Sequence, residues 1–158
     1  MSRSRETCSI KSVEVLAVSN SWPIFALTAA AATHAEDTRP LAPLPPAAQE
    51  SLRQEMLENL AALNEVLTLV GSGKLAEAGE VAEAKLGVAS MGKHRAKPMD
   101  ARPGPHMPPA MHGIGMDGHK SVSEFAAAAK AGERDKAMVL LPNLTGACVG
   151  CHYSYRTR

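Results

Sequence analysis

Residues 46–70, PAAQESLRQEMLENLAALNEVLTLV, hold no glycine and no proline after Pro46, and their reading decides the fold class. Pro46 suits the first turn of a helix, where its missing N–H costs nothing, and Glu50 complements the positive end of the helix dipole. Leu52, Met56, Leu60, Leu63, Leu67 and Val70 recur at spacings of 4, 4, 3, 4 and 3, which places all six on one helical face. Gly71-Ser72-Gly73 ends the run. A helix with such a face buries it against other elements.

Working downstream, a second helix is expected from Lys74 to about Ala89, with Leu75, Ala78, Ala82, Leu86 and Ala89 forming a narrow stripe whose alanines permit close approach to a neighbour. Glu77, Glu80 and Glu83 read as its wet face. Ser90–Gly118 then shifts in composition, with five Met, three His, five Pro and five Gly, and reads as a long loop leading into a third helix that starts at Pro108-Pro109. Gly113, Gly115 and Gly118 weaken its first turns, and His119–Lys130 is its firmer half. After Ala131-Gly132 a fourth segment keeps helical spacing through Met138, Leu141, Leu144, Cys148, Cys151 and Tyr155. Pro142 inside it forces either a kink or a fresh start. With no strand pattern and no long repeat, the expectation is an all-α chain, an antiparallel four-helix bundle covering residues 47–158.

Working upstream, Arg39-Pro40-Leu41-Ala42-Pro43-Leu44-Pro45-Pro46 reads as an extended, proline-rich lead over residues 36–46. Before it, Arg3, Arg5 and Lys11 precede an apolar run, Trp22–Ala32, and small residues up to Ala35. This pattern is that of a secretory signal peptide over residues 1–35, cleaved after Ala35. Eleven residues fall short of the roughly 20 a membrane-crossing helix needs, so no stable membrane insertion is expected and the mature chain is placed in the periplasm.

Charge narrows the function classes. The chain carries 17 Lys+Arg against 16 Asp+Glu. Removing residues 1–35 takes away Arg3, Arg5, Lys11, Glu6 and Glu14, leaving 14 of each sign and no basic footprint for nucleic acid. The remainder keeps two cysteines, Cys148 and Cys151, and three aromatic rings, Phe125, Tyr153 and Tyr155. A disulfide closing so short a loop removes little chain entropy, so the pair needs another purpose.

Cys148-Val149-Gly150-Cys151-His152 is C-x-x-C-H, the pattern of c-type haem attachment. On a helix, residues i and i+3 face the same way, so both thiols reach the two vinyl groups on one porphyrin edge, and His152 brings an imidazole to the iron. Gly150 offers a position without a side chain beside the macrocycle. A thioredoxin-type dithiol would sit in a strand-rich fold, and a zinc site would want two more ligands, for which His112 and His119 have the wrong interval. Export agrees with haem c, which bacteria attach outside the cytoplasm. A core with three rings also has room for something large, flat and apolar.

The C-terminal Cys148-x-x-Cys151-His152 followed by Tyr155-Arg156, closing an exported helical chain, resembles the class II cytochromes c, the cytochrome c-prime group and its low-spin relatives. That resemblance implies one covalent haem c near the C-terminal helix, His152 as proximal ligand, and a residue of the first helix on the distal side. It also implies that the Tyr155-Arg156 pair lies at the haem edge, where Arg156 would meet a propionate or simply be solvated.

Met56 is the donor on the inward stripe of the first helix, either as sixth iron ligand or as an adaptable core filler. With Met56 bound, the expected role is one-electron transfer with redox partner proteins. With the position open, the alternative is a module binding NO or CO. His119 is a further possible donor, or a surface histidine. His94, His106 and His112 with Met91, Met99, Met107, Met111 and Met116 form a soft-donor set, which gives a second alternative, copper binding through the loop at 90–118. A homodimer through the first two helices stays open. No nucleophile, acid and base pair or phosphate loop is present, so an enzyme is not expected.

Overall fold

Breaker residues set the helix boundaries. In the computed structural model, which describes residues 36–158, α1 spans Pro46–Gly71, α2 Leu75–Lys85, α3 Pro109–Lys130, α4 Arg134–Leu140 and α5 Asn143–Ser154. Three single turns of 3-10 helix, Val88–Ser90, Met99–Ala101 and Gly104–His106, interrupt the connection from α2 to α3. The chain is all-α. The one extended pairing among the described residues is an isolated parallel bridge between Leu41 and Arg156. The expected signal peptide, residues 1–35, lies outside the described residues.

Gly73 and Gly132 end α1 and α3 by the same device. Each takes positive φ, 76° and 73°. In the first, Lys74 N–H reaches Leu69 O at 2.9 Å and Gly73 N–H reaches Val70 O at 3.0 Å. In the second, Glu133 N–H bonds Ala128 O at 3.0 Å and Gly132 N–H bonds Ala129 O at 3.1 Å. These paired bonds satisfy carbonyls that a helix end leaves free. The three-residue turn after α1 sends the chain back along it as α2.

Several sequence expectations need correction. α2 stops at Lys85, so Ala89 is exposed rather than part of its stripe. α3 starts at Pro109 as expected, but residues 109–118, which the expected loop included, are already helical. Of the two outcomes expected at Pro142 the structure shows the fresh start, dividing the fourth segment into α4 and α5, because the ring cannot extend an existing helix but its φ of −60° is ready to start one. Glu83 is not simply wet: its carboxylate accepts the Ala89 N–H at 3.0 Å, and a hydrogen bond with Ser123 holds its carboxyl below the usual range.

The main core joins Val66 of α1, Ala78 and Ala82 of α2, Val122, Phe125, Ala126, Ala128 and Ala129 of α3, Ala137 of α4 and Leu144 of α5. α2 packs on both α1 and α3, and α3 in turn carries α4 and α5. Small residues set the spacing. A Cβ built on Gly79 would lie 2.8 Å from Ala126 O, and one on Gly118 would lie 2.5 Å from Ala147 Cβ. Gly118, which reads as a weak point of helix three, is where Ala147 of α5 packs against α3 with no room for a side chain.

A prediction follows from that contact. Gly118→Val should cost about 1–3 kcal/mol through overpacking. Gly115→Ala meets nothing within 4 Å and should instead gain about 0.4–1 kcal/mol. Urea midpoints of the two variants are the check, and equal shifts would contradict the packing described.

α1 is rotated relative to its expected face. Ala48, Leu52, Ala62 and Val66 are buried, whereas Leu60 is 65% exposed and Leu67 46% exposed. The alanines admit close helix contact and take the innermost positions, which leaves half of the leucine stripe on a flank. Among the described residues α1 and α5 are not a packed pair. These two helices carry Leu57, Leu60, Leu67, Val149 and Tyr153, half of the large apolar side chains left uncovered.

Candidate functional site

The last helix presents the motif because of where it begins and ends. Pro142 starts it, and Tyr155 leaves it with φ −137° and ψ 153°, its N–H still bonded to Cys151 O at 2.9 Å. Cys148 and Cys151 are therefore one helical turn apart. Both are free thiols. Cys148 and His152 are exposed, and Cys151 is half-buried. Burial pushes the Cys151 thiol above the usual thiol range, and the neighbouring Cys148 adds to the effect. Gly150 faces Ile114 of α3, where a Cβ would lie at 3.7 Å, an ordinary contact that does not by itself demand glycine.

Cys151 rests on a second apolar cluster. Its buried members are Ala42 and Leu44 from the lead, Ala48 and Leu52 from α1, and Met111 from α3. Met56, Met107, Cys151 and Tyr155 pack against them. Five segments thus meet at one place, the lead, α1, the end of the α2–α3 connection, α3 and α5, and three thioethers, a thiol and a phenol ring share it. Met56, which the sequence places on the inward stripe of the first helix, packs against this cluster. Met107 and Met111 join it too, separately from the remainder of the soft-donor set.

Arg156 is held by the lead. Its Nε donates to Arg39 O at 2.9 Å and its N–H donates to Pro40 O at 3.0 Å, while Ala42 N–H donates to Arg156 O at 2.8 Å. Arg39 donates from Nη1 to the carbonyl of His152 and pairs with Asp37 at 2.6 Å. That ion pair holds the Asp37 carboxyl down at about 2. The lead is extended as expected, but it is docked rather than free. Proline-rich composition carries no signal for this, because the docking depends on backbone groups over a hundred residues away.

The other candidate donors have their own partners. His119 Nδ1 lies 2.7 Å from Leu86 O, beside the end of α2. His94 Nε2 meets Glu55 Oε2 at 2.9 Å, and His106 Nε2 meets Met99 O at 3.1 Å. His112 is exposed near Gly104. Among the described residues no three His, Cys, Asp or Glu side chains are grouped to hold a metal ion. The loop itself is pinned to α1: Lys93 meets Glu55 at 3.4 Å, and Lys97 Nζ donates to the buried Ser51 hydroxyl at 2.9 Å. A groove of about 600 Å³ lies elsewhere, between α1, α2 and Ser90–Lys93, and of the sequence-derived candidates only Met91 lines it. It is open and rimmed by Glu58, Glu65, Lys85 and Lys93, with no convergent set of polar groups.

The donor chemistry fits a c-type haem. Two thiols one turn apart, an imidazole on the next residue and a thioether on the adjoining cluster are the groups such a cofactor uses, and large apolar side chains stay exposed on α1 and α5. No helix among the described residues is long and apolar enough to cross a membrane. No family model matches the chain, and neither a curated protein nor a solved structure matches it.

Proposed function

We propose that this chain is an exported monohaem cytochrome similar to the class II cytochromes c, working in the periplasm in one-electron transfer between redox partner proteins. The observation that carries the reading is the meeting of Met56 and Cys151 on one apolar cluster, although they lie far apart in the sequence. In this reading Cys148 and Cys151 hold the haem by thioether links, His152 is the proximal ligand and Met56 the distal one. α1, α2, α3 and α5 would then make up a four-helix bundle that holds the haem, α1 and α5 being, among the described residues, a pair not packed on each other.

When bound, haem supplies a reversible one-electron iron couple. The residues of the chain tune and shelter it. A thioether opposite an imidazole favours Fe(II) and raises the reduction potential, as suits electron transfer. Leu52, Met107, Met111 and Tyr155 keep water from the Met56 side, which lowers the local dielectric and further disfavours the more charged oxidised state. Covalent attachment next to His152 keeps the imidazole at high effective concentration, so proximal ligation does not depend on affinity alone.

The test is the visible spectrum of protein exported from a host that attaches haem c. The wild type is expected to show sharp low-spin α and β bands when reduced. Met56→Ala is expected to give a high-spin spectrum and to gain CO binding. A wild type already high-spin would contradict Met56 ligation and favour the gas-binding module, and a Met56→Ala variant that stays low-spin would assign the distal position to another donor.

A further inference from the structure

The lead that the sequence presents as a linker is tied to the far end of the chain at one place, the last turn of α5 and the residues just after it. Four interactions converge there. Arg39 donates to the carbonyl of His152, Arg156 Nε donates to Arg39 O at 2.9 Å, Arg156 N–H donates to Pro40 O at 3.0 Å, and Ala42 N–H donates to Arg156 O at 2.8 Å. Beyond them Ala42, 1% exposed, and Leu44, 5% exposed, seal the cluster on which Cys151 and Tyr155 rest. The final carbonyls of a helix have no partner within it, and a cation close to them is favoured by the helix dipole. Arg39 provides both the hydrogen bond and the charge, from outside the helix, and Asp37 fixes its guanidinium from the other side at 2.6 Å.

We propose that Arg39 is a positioning residue for His152: the strap from Asp37 to Leu44 locks the last turn of α5 and thereby fixes the direction in which the His152 imidazole leaves the helix. The inference rests on the haem reading for its functional meaning and on the strap contacts alone for its structural content. A helix C-terminus frays when its carbonyls are unpaired, and a ligand on a frayed turn samples several orientations. With the strap in place, His152 has one backbone position from which to reach the iron. Arginine suits the task better than lysine, because its planar fork serves the Asp37 carboxylate and the His152 carbonyl together.

Two measurements on full-length Arg39→Ala and Arg39→Lys test the proposal and separate it from the haem reading. The first is amide hydrogen exchange. In Arg39→Ala the amides of Ala42, Tyr155 and Arg156 are expected to exchange at least about tenfold faster while those around Phe125 are unchanged, as local opening of a single strap would produce. The second is the set of hyperfine-shifted His152 proton signals in the oxidised holo-protein. The wild type is expected to give one set, Arg39→Ala more than one, and Arg39→Lys, which keeps the cation and one donor, a return towards one. Unchanged exchange in Arg39→Ala overturns the strap whatever the state of the haem. Faster exchange with a single unchanged set of His152 signals overturns the positioning role. A colourless wild type overturns the haem reading, and with it the positioning of a ligand, while exchange still reports on the strap.

Discussion

A chain carrying Cys148→Ser and Cys151→Ser together is expected to fold and to lose all covalently held haem. The wild type, denatured in acidified organic solvent, should keep its colour with the polypeptide, whereas the double variant should release every trace of it. The loss is complete because the two thiols are the only ones in residues 36–158, and serine forms no thioether with a vinyl group. The fold should survive, since the main core of Val66, Ala82, Phe125 and their neighbours contains neither cysteine. The single variants should differ in stability. Cys148 is exposed, and its replacement should fall within about 0.5 kcal/mol of the parent. Cys151 packs on an apolar cluster, so a serine hydroxyl there should cost about 1–3 kcal/mol. Covalent colour retained by the double variant would contradict the attachment site.

Replacing Phe125 with alanine is the second change with a large expected effect, about 3–5 kcal/mol of lost stability, at the upper end of that range. Phe125 is fully buried and is the one aromatic ring in the main core. Its surroundings are largely alanine, at positions 78, 82, 126, 128, 129 and 137. Alanines have no side-chain length with which to move into a void, and the close helix contacts at Gly79 and Gly118 resist collapse of the backbones. The cavity therefore stays open, which is the condition for a high cost. A domain of this size has about 5–15 kcal/mol in hand, so the variant should unfold at a much lower urea concentration. Phe125→Leu, which keeps most of the volume, should cost less than about 1.5 kcal/mol. A Phe125→Ala midpoint close to that of Phe125→Leu would show that the core collapses.

The boundaries of the helices were legible where a breaker stood beside a run of good helix formers. Pro46, Gly73, Pro109, Gly132 and Pro142 each mark an end in the structure as in the sequence, because each acts through its own backbone φ or missing N–H and needs no distant partner. Facial assignment was less secure. Counting leucines on α1 picks a stripe through Leu60 and Leu67, but the buried face is set by Ala48, which packs with the lead and Met111 of α3, and by Ala62 and Val66, with Val66 in the core that α2 shares. Alanine reads as neutral in a periodicity argument and as decisive in a packed interface. Gly118 shows the same inversion, since the property that lowers helix propensity is what makes room for Ala147.

At the candidate site, the motif and Met56 could be picked out locally, one by spacing and the other by its place on a stripe. Tyr155 packs against the same cluster as Cys151, although the chain has left the helix there, so helical spacing does not account for its placement. The roles of Met107, Met111 and Arg39 were not visible. The two methionines come from a stretch whose composition says only loop, and their placement depends on Pro108-Pro109 starting α3 just where the second cluster forms. Arg39 acts through the backbone carbonyl of His152, and a backbone carbonyl leaves no mark in a sequence.

The most direct measurement of the central claim is the intact mass of the protein recovered from the periplasm of a host that attaches haem c, taken after denaturation. The account requires the polypeptide from Glu36 onward to be heavier than its amino acids by one haem, with Cys148 and Cys151 both unreactive to thiol alkylation. A mass equal to that of the amino acids alone, with both thiols open to alkylation, would contradict it.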